Sequence, residues 1–304
     1  MEDQSVNGSI WNKQASTLLD QLGWDVVSDH DIDIKGSDEK KHGVDTLMIY
    51  KTPLKVRPQS VILEAKRYET KNFHAKLLQE WIDTLDKKLV TLRNSADLFE
   101  LYPRLEECSV FDVGVIVIWF YDVENYKTFR PKFLEALKSV NVSTRERKAG
   151  RSSIFVLDNT RILRLCALKK AVDKLGDSFY FRYAPAFQSG KPDEPIKTLT
   201  IEYIFSDVVL GSLKTDKEES VVFYFGDNNM RSFEMLKSAL RSTFVWKKDS
   251  PLHLYLYNSE IEVRKIIPRI KDLFDEVGTV DVQFMETNND LPADLKNIIS
   301  DEQE

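Results

Sequence analysis

Cysteine is scarce: two in 304 residues, Cys108 and Cys166, far apart and outside any Cys-x-x-Cys spacing, leave no basis for a thiolate metal site or a disulfide framework. Both stand in apolar stretches and read as buried thiols. Long hydrophobic runs are also missing. The longest, Val113 to Tyr121, is about half of the ~20 residues a membrane helix requires, and it reads as a strand buried on both faces. The opening residues MEDQSVNGSIWNKQ have no basic segment followed by an apolar one, so an intracellular, cytoplasmic protein with no membrane partner is expected. Nor is there an excess of positive charge. Lys and Arg number 43 against 49 Asp and Glu, a net charge of -6, which excludes a uniformly basic surface while leaving room for a local one. No glycine-rich phosphate loop follows a strand: Gly226-Asp227-Asn228-Asn229 lacks the further glycines and the lysine, reads as a turn, and argues against a Rossmann-type nucleotide enzyme. Nothing has the form of a zinc finger or a base-reading helix.

What is present is a chain with 42% hydrophobic and 30% charged residues, enough for two soluble domains. Ile10, Trp11, Ala15, Leu18, Leu19 and Leu22 recur at helical spacing between Ser9 and Gly23 and predict a capped helix. Extended segments are expected at Trp24–Ser28, Val44–Tyr50 and Val61–Arg67, then a long helix carrying Phe73 through Leu92. The strand Val113–Tyr121, a helix near 127–140, a strand near 153–157 and a helix from 160 to 175 complete the N-terminal half. This order predicts an α/β fold with a mixed sheet flanked by helices. A Gly- and Pro-rich stretch places a domain boundary near 176, giving domains 1–176 and 177–304. In the second, Val221–Phe225 and Leu252–Tyr257 each precede a helical run and a last strand lies near 279–285, which predicts a smaller C-terminal α/β domain built on a parallel sheet. Pro268 should bend the second of its helices.

The segments G-V-D-T-L-M-I-Y (Gly43 to Tyr50) and V-I-L-E-A-K-R-Y (Val61 to Tyr68) carry the chemistry. Alternate residues of a strand share a face, so Glu64 and Lys66 project together and Ala65 points away. If the two strands pair, Asp45 meets Glu64 across the ladder. Two such carboxylates repel, and a hard divalent cation relieves the repulsion while keeping open water positions. Lys66 then stands where it can orient or deprotonate an attacking water, and the cation stabilises a transferring phosphoryl group. The tripeptide Asp/Glu-x-Lys is not selective, since it also starts at Asp33, Glu69, Asp86, Glu146 and Asp294. Only Glu64 ends an apolar strand that follows a Gly-Val-Asp strand and precedes a long helix.

This order of helix, G-V-D strand, E-A-K strand and helix resembles the PD-(D/E)xK restriction-endonuclease-like superfamily, and E-A-K-R-Y with Gln79 on the next helix is similar to its Mrr-like branch. The resemblance covers roughly residues 9 to 157. It implies a restriction-endonuclease-like fold, Asp45 and Glu64 as metal ligands with the Ala65 carbonyl beside them, Lys66 as the catalytic base, Gln79 as a further site residue, and Mg²⁺ or Mn²⁺ as cofactor. The first helix of the superfamily often supplies a glutamate; the nearest position here is Gln14.

For DNA contact, Arg145, Arg147, Lys148 and Arg151 form a local basic loop suited to gripping phosphates, and Arg67 of the K-R-Y run adds to it. The expected activity is metal-dependent hydrolysis of DNA phosphodiesters, by an endonuclease rather than an exonuclease, in restriction or defence against foreign DNA. The C-terminal domain is expected to bind a second copy or another subunit. The alternative is a non-catalytic binding or assembly subunit that retains the fold.

Overall fold

The computed structural model of the chain describes residues 2–53, 55–109, 111–141, 152–183, 196–215, 218–242, 250–257, 261–275 and 279–296. The chain divides into two compact units, Met1–Ile162 with Asp290–Glu304, and Leu163–Asn289.

The first unit opens with helix α1 (Glu2–Asp20) and strand β1 (Asp25–Val26), followed by a separate hairpin, β2 (Ile32–Lys35) and β3 (Lys41–Val44). Strands β4 (Thr46–Tyr50) and β5 (Gln59–Tyr68) come next, then helices α2 (Ala75–Leu92) and α3 (Ala96–Leu101), β6 (Val113–Phe120), α4 (Val123–Lys138), β7 (Ser153–Leu157) and α5 (Asn159–Leu175). One sheet has the order β1-β4-β5-β6-β7, antiparallel over the first two pairings and parallel over the last two. Alternation along β4 to β6 fixes its faces. Leu47, Ile62, Ile116 and Ile118 pack beneath Leu78, Leu85 and Leu89 of α2 and Phe133 of α4. Trp11 of α1 donates its ring N–H to the Val117 carbonyl at 3.1 Å and packs 5.9 Å from the Trp119 ring. At Gly114 a Cβ would come within 2.7 Å of the Leu85 side chain, so glycine is what lets α2 lie this close to β6.

The second unit contains β8 (Phe179–Phe181), α6 (Ile201–Phe205), β9 (Val208–Lys214), β10 (Glu218–Tyr224), α7 (Met230–Ser242), β11 (Leu252–Leu256), α8 (Ile261–Phe274) and β12 (Val280–Phe284). Its sheet has the order β8-β9-β10-β11-β12, with β8 and β9 antiparallel to their neighbours and the rest parallel. The expected parallel sheet is thus a mixed one. Two strands escaped the sequence: β8 is only three residues long, and β9 is interrupted by Gly211, which the Phe179 ring crowds so closely that no larger residue fits. Pro268 lies inside α8 as expected.

The compact units divide at Ile162/Leu163, within α5, where the sequence suggested a boundary near 176. The first turn of α5 is fastened to the first unit. Asn159 exchanges two 2.8 Å hydrogen bonds with the main chain of Phe120, and the buried Asp158 carboxylate accepts from Arg161 N at 3.0 Å. The chain also returns to the first unit at its end: α9 (Ala293–Lys296) lies against α1, where Gln14 Nε2 donates to the Leu295 carbonyl at 2.8 Å.

Candidate active site

The pairing of Thr46 with Leu63 across the β4–β5 ladder, extended by one residue, sets Asp45 opposite Glu64. Asp45 stands just before β4, and its main chain is pinned from two sides. Its carbonyl accepts from Asn12 Nδ2 of α1 at 2.9 Å and from the Asp31 N–H at 3.0 Å. Asn12, itself buried, also donates to Asp31 Oδ1 at 3.0 Å and accepts from Thr46 Oγ1 at 2.8 Å. Asp31 takes up a φ of 56°, a left-handed conformation that aspartate tolerates better than most residues.

The side chains converge in a cleft of about 390 Å³ lined by Asp31, Asp45, Glu64, Lys66, Trp81 and Lys88, among others. The Ala65 N–H donates to Asp45 Oδ2 at 2.7 Å, Lys66 Nζ lies 3.4 Å from the same oxygen and 3.1 Å from Glu64 Oε2, and Lys88 Nζ reaches Glu64 Oε1 at 2.5 Å. Glu64 is only 5% exposed, and each of its two oxygens faces a lysine amine. Burial, and then the Glu64 charge, push the Asp45 carboxyl above the ordinary aspartate range, against the opposing pull of Lys66. Burial alone would lower the Lys66 pKa, but Glu64 and Asp45 outweigh it and hold it above the usual lysine value, so at neutral pH Lys66 is an ammonium.

Two carboxylates on adjacent strands supply the hard oxygen donors that Mg²⁺ or Mn²⁺ favours. In an extended strand the N–H and C=O of one residue point the same way, so the Ala65 carbonyl lies on the Asp45 side with its N–H and could supply a third donor. Among the described residues no group of three or more His, Cys, Asp and Glu side chains could hold a metal ion, so a cation here would keep much of its water.

Residues 1–161 match the family described as the GAPS4 protein PD-(D/E)XK nuclease domain. The chain belongs to this family. No curated protein and no solved structure matches it. The match spans α1 to β7 and takes in every residue of the cleft; it supports the PD-(D/E)xK superfamily, without reaching as far as the Mrr-like branch.

Within the GAPS4 nuclease domain the remaining expected residues fall in different places. Gln79 is not among the cleft residues: its side chain donates to Asp83 Oδ1 (2.8 Å) and the Asn141 carbonyl (2.9 Å) and accepts from Asn141 N (2.8 Å), tying α2 to the end of α4. Arg67 is exposed, its guanidinium 4.9 Å from the centre of the Tyr121 ring. Gln14 faces α9, and the α1 residue that meets the site is Asn12. Arg145, Arg147, Lys148 and Arg151 lie outside the described residues. Cys108 and Cys166 are both buried and neither is in a disulfide. Lys88 was missed. Trp81, Thr84 and Lys88 recur at three- and four-residue steps along α2, which puts them on one face, and that spacing was the available signal.

Proposed function

We propose that this chain is a divalent-metal-dependent deoxyribonuclease whose metal ligands are Asp45, Glu64 and the Ala65 carbonyl. The observation that carries the reading is the meeting of the Asp45 and Glu64 carboxylates in one cleft with Lys66 Nζ within 3.4 Å of both. Bound there, Mg²⁺ or Mn²⁺ would supply charge stabilisation for the phosphoryl group and a water of lowered pKa. The chain's own residues do the rest. Asn12 and Asp31 hold the Asp45 main chain in place, so its carboxylate enters the site preorganised. Lys66, charged and fixed between two carboxylates, orients the attacking water or a phosphate oxygen, and would be the nearest amine to take a proton if a cation were to draw Asp45 and Glu64 away from it. Trp81 and Thr84 form the α2 wall of the cleft.

The DNA contacts belong to the same proposal: Arg145, Arg147, Lys148 and Arg151 grip phosphates and Arg67 extends that surface. Replacing the four by neutral residues should flatten the salt dependence of binding, the logarithmic slope falling by roughly one for each phosphate no longer held. Endonucleolytic cutting, a cytoplasmic setting and a role in restriction or defence complete the reading. E-A-K-R-Y supports a place in the Mrr-like branch, whereas Gln79, engaged with Asp83 and Asn141, lends it nothing. Assembly through the C-terminal unit, with a second copy or another subunit, is read from the mass of the full chain in solution. A piece ending near 176 would strip α9 from α1 and is the wrong test object.

The test is cleavage of plasmid DNA with Mg²⁺ or Mn²⁺, silent in EDTA and abolished by Asp45→Ala, Glu64→Ala or Lys66→Ala, with the double variants no worse than the singles. Full activity in all three variants refutes the assignment. A second reading, a non-catalytic subunit, draws on one observation: the two lysines already satisfy both oxygens of Glu64. Failure of the purified wild-type chain to bind Mn²⁺ would favour it.

A further inference from the structure

We infer that the unit Leu163–Asn289 is a second copy of the nuclease fold whose cleft is closed to divalent cations; its metal side rests on the Asp45 and Glu64 reading above. The two sheets are built alike. Each has five strands arranged in order of chain position, with two antiparallel pairings followed by two parallel ones. Each is entered from a helix, α1 or α5. Each carries an insertion between its first two sheet strands, β2–β3 in one and α6 in the other; the parallel crossovers run through α2, α3 and α4 in the first unit and α7 and α8 in the second, and α2 packs against α4 as α7 does against α8. In the second unit that face is formed by Leu210, Val222, Tyr224, Leu252 and Leu254 under Phe233 and Leu236 of α7 and Ile270 and Phe274 of α8.

The register carries the likeness into the site. In the first unit Asp45 and Glu64 are the helix-facing pair at the end of the antiparallel ladder, with Lys66 two residues on. In the second the helix-facing pair at the same end is Val208 and Tyr224, with Gly226 two residues on. All three line a cleft of about 420 Å³ whose opposite wall is Ser232, Met235 and Leu236 of α7, as Trp81, Thr84 and Lys88 of α2 line the first. An aspartate, a glutamate and a lysine are thus replaced by valine, tyrosine and glycine. A Cβ on Gly226 would come within 2.6 Å of the Tyr224 hydroxyl, so the tyrosine fills the room a side chain at 226 would need, and that hydroxyl donates to the Asp227 carbonyl at 3.0 Å.

Asp207, one residue beyond this ladder end, is already paired with a cation of the protein's own. Arg164 of α5 donates to Asp207 Oδ1 at 2.9 Å and to the Phe225 carbonyl at 3.0 Å, with its guanidinium 5.6 Å from the centre of the Phe225 ring. It comes from the entering helix, as Asn12 does at Asp45. Of the two carboxylates that line this cleft, Asp207 and Asp227, the first is held by a tethered guanidinium that does not exchange with Mg²⁺ and stands opposite Phe225, so the ladder here offers no counterpart of the Asp45 and Glu64 pair. Among the described residues the first unit therefore carries a candidate cleaving site and the second a cleft of the same construction without the paired carboxylates and lysine of this chemistry.

The test is a crystal structure of the full chain soaked in MnCl₂, read by manganese anomalous scattering, with electron paramagnetic resonance counting bound Mn²⁺ in solution. The expected result is a peak between Asp45 and Glu64, none between Val208 and Tyr224, and β8–β12 with α7 and α8 superposing strand for strand on β1 and β4–β7 with α2 and α4. In solution Asp207→Asn/Asp227→Asn should bind as much Mn²⁺ as wild type, and Asp45→Asn/Glu64→Gln none. A peak in the second cleft, loss of Mn²⁺ from the Asp207/Asp227 variant, or a different strand order or direction in the second sheet overturns the inference. No ion in either cleft would refute the metal reading of the first while agreeing with the silence of the second.

Discussion

Lys88 Nζ lies 2.5 Å from Glu64 Oε1, nearer than Lys66, two positions along the same strand, comes to the other oxygen at 3.1 Å. The helix lysine therefore holds the buried carboxylate at least as firmly as the lysine of the E-A-K motif, and it competes with any cation for the same oxygen. Lys88→Met should tighten Mn²⁺ binding severalfold, because a positive charge is removed beside the site, and should lower the metal-free melting temperature, because Glu64 loses a partner in a buried pair. Calorimetric titration and thermal melts check the two halves. Weaker Mn²⁺ binding would show that Lys88 supports the cation site instead of competing with it.

Asp45 is the second point of leverage. Burial and the Glu64 charge raise its pKa, so the folded chain binds this proton more tightly than the unfolded chain, and metal-free stability falls as pH rises through the carboxylate range. Asp45→Asn should therefore melt no lower than wild type at neutral pH without metal. Wild type in Mn²⁺ at about 100 times its dissociation constant should gain ~2.7 kcal/mol, and the variant should gain nothing. A variant still stabilised by Mn²⁺ would remove Asp45 from the ligand set.

Gln79 is predicted to matter for packing alone. Its two bonds to the Asn141 main chain are solvent-accessible, so Gln79→Ala should cost about 1 kcal/mol, at the level of an ordinary hydrogen bond, and leave cleavage within about twofold. A hundredfold loss of kcat with unchanged stability would return it to the site.

Cys108 is predicted to be inert. Burial pushes its thiol up to about 11, so at pH 8 almost none is thiolate, and iodoacetamide should label it only after unfolding. Mass spectrometry of the native chain, with the denatured chain as the positive control, decides this.

The strands and helices that hold the site follow from period and punctuation: β5 from the alternation around V-I-L-E-A-K, α2 from apolar residues three and four apart, β7 from Ser153 to Leu157. Asp45, Glu64 and Lys66 could be singled out because their relationship is local to one hairpin. For Lys88 the helical spacing with Trp81 and Thr84 marks a face without naming its partner, and Asn12 shows no such signal, because their partners are 24 and 33 residues away and the folded layers bring them together. The second sheet was half hidden for a different reason. Its first two strands are short or broken by a glycine that packing demands, so local propensity argues against them and the tertiary contact between Phe179 and Gly211 decides.

Asn12, Asp31, Asp45, Glu64, Lys66 and Lys88 all emerge from the ribosome before β6 does, yet β6 supports the strand and the helix that carry three of them. It is the parallel neighbour of β5, pairing Ile116 with Glu64, and its Gly114 is the floor on which Leu85 of α2 rests. A parallel partner can join only after the whole crossover has been made, and such long-range pairing is slow. Until then β5 has an open edge and α2 lacks the part of its seat that Gly114, Ile116 and Ile118 provide, resting on Leu47 and Ile62 of the hairpin. A nascent chain released before residue 113 would carry every residue of the cleft without the strand that supports β5 and α2.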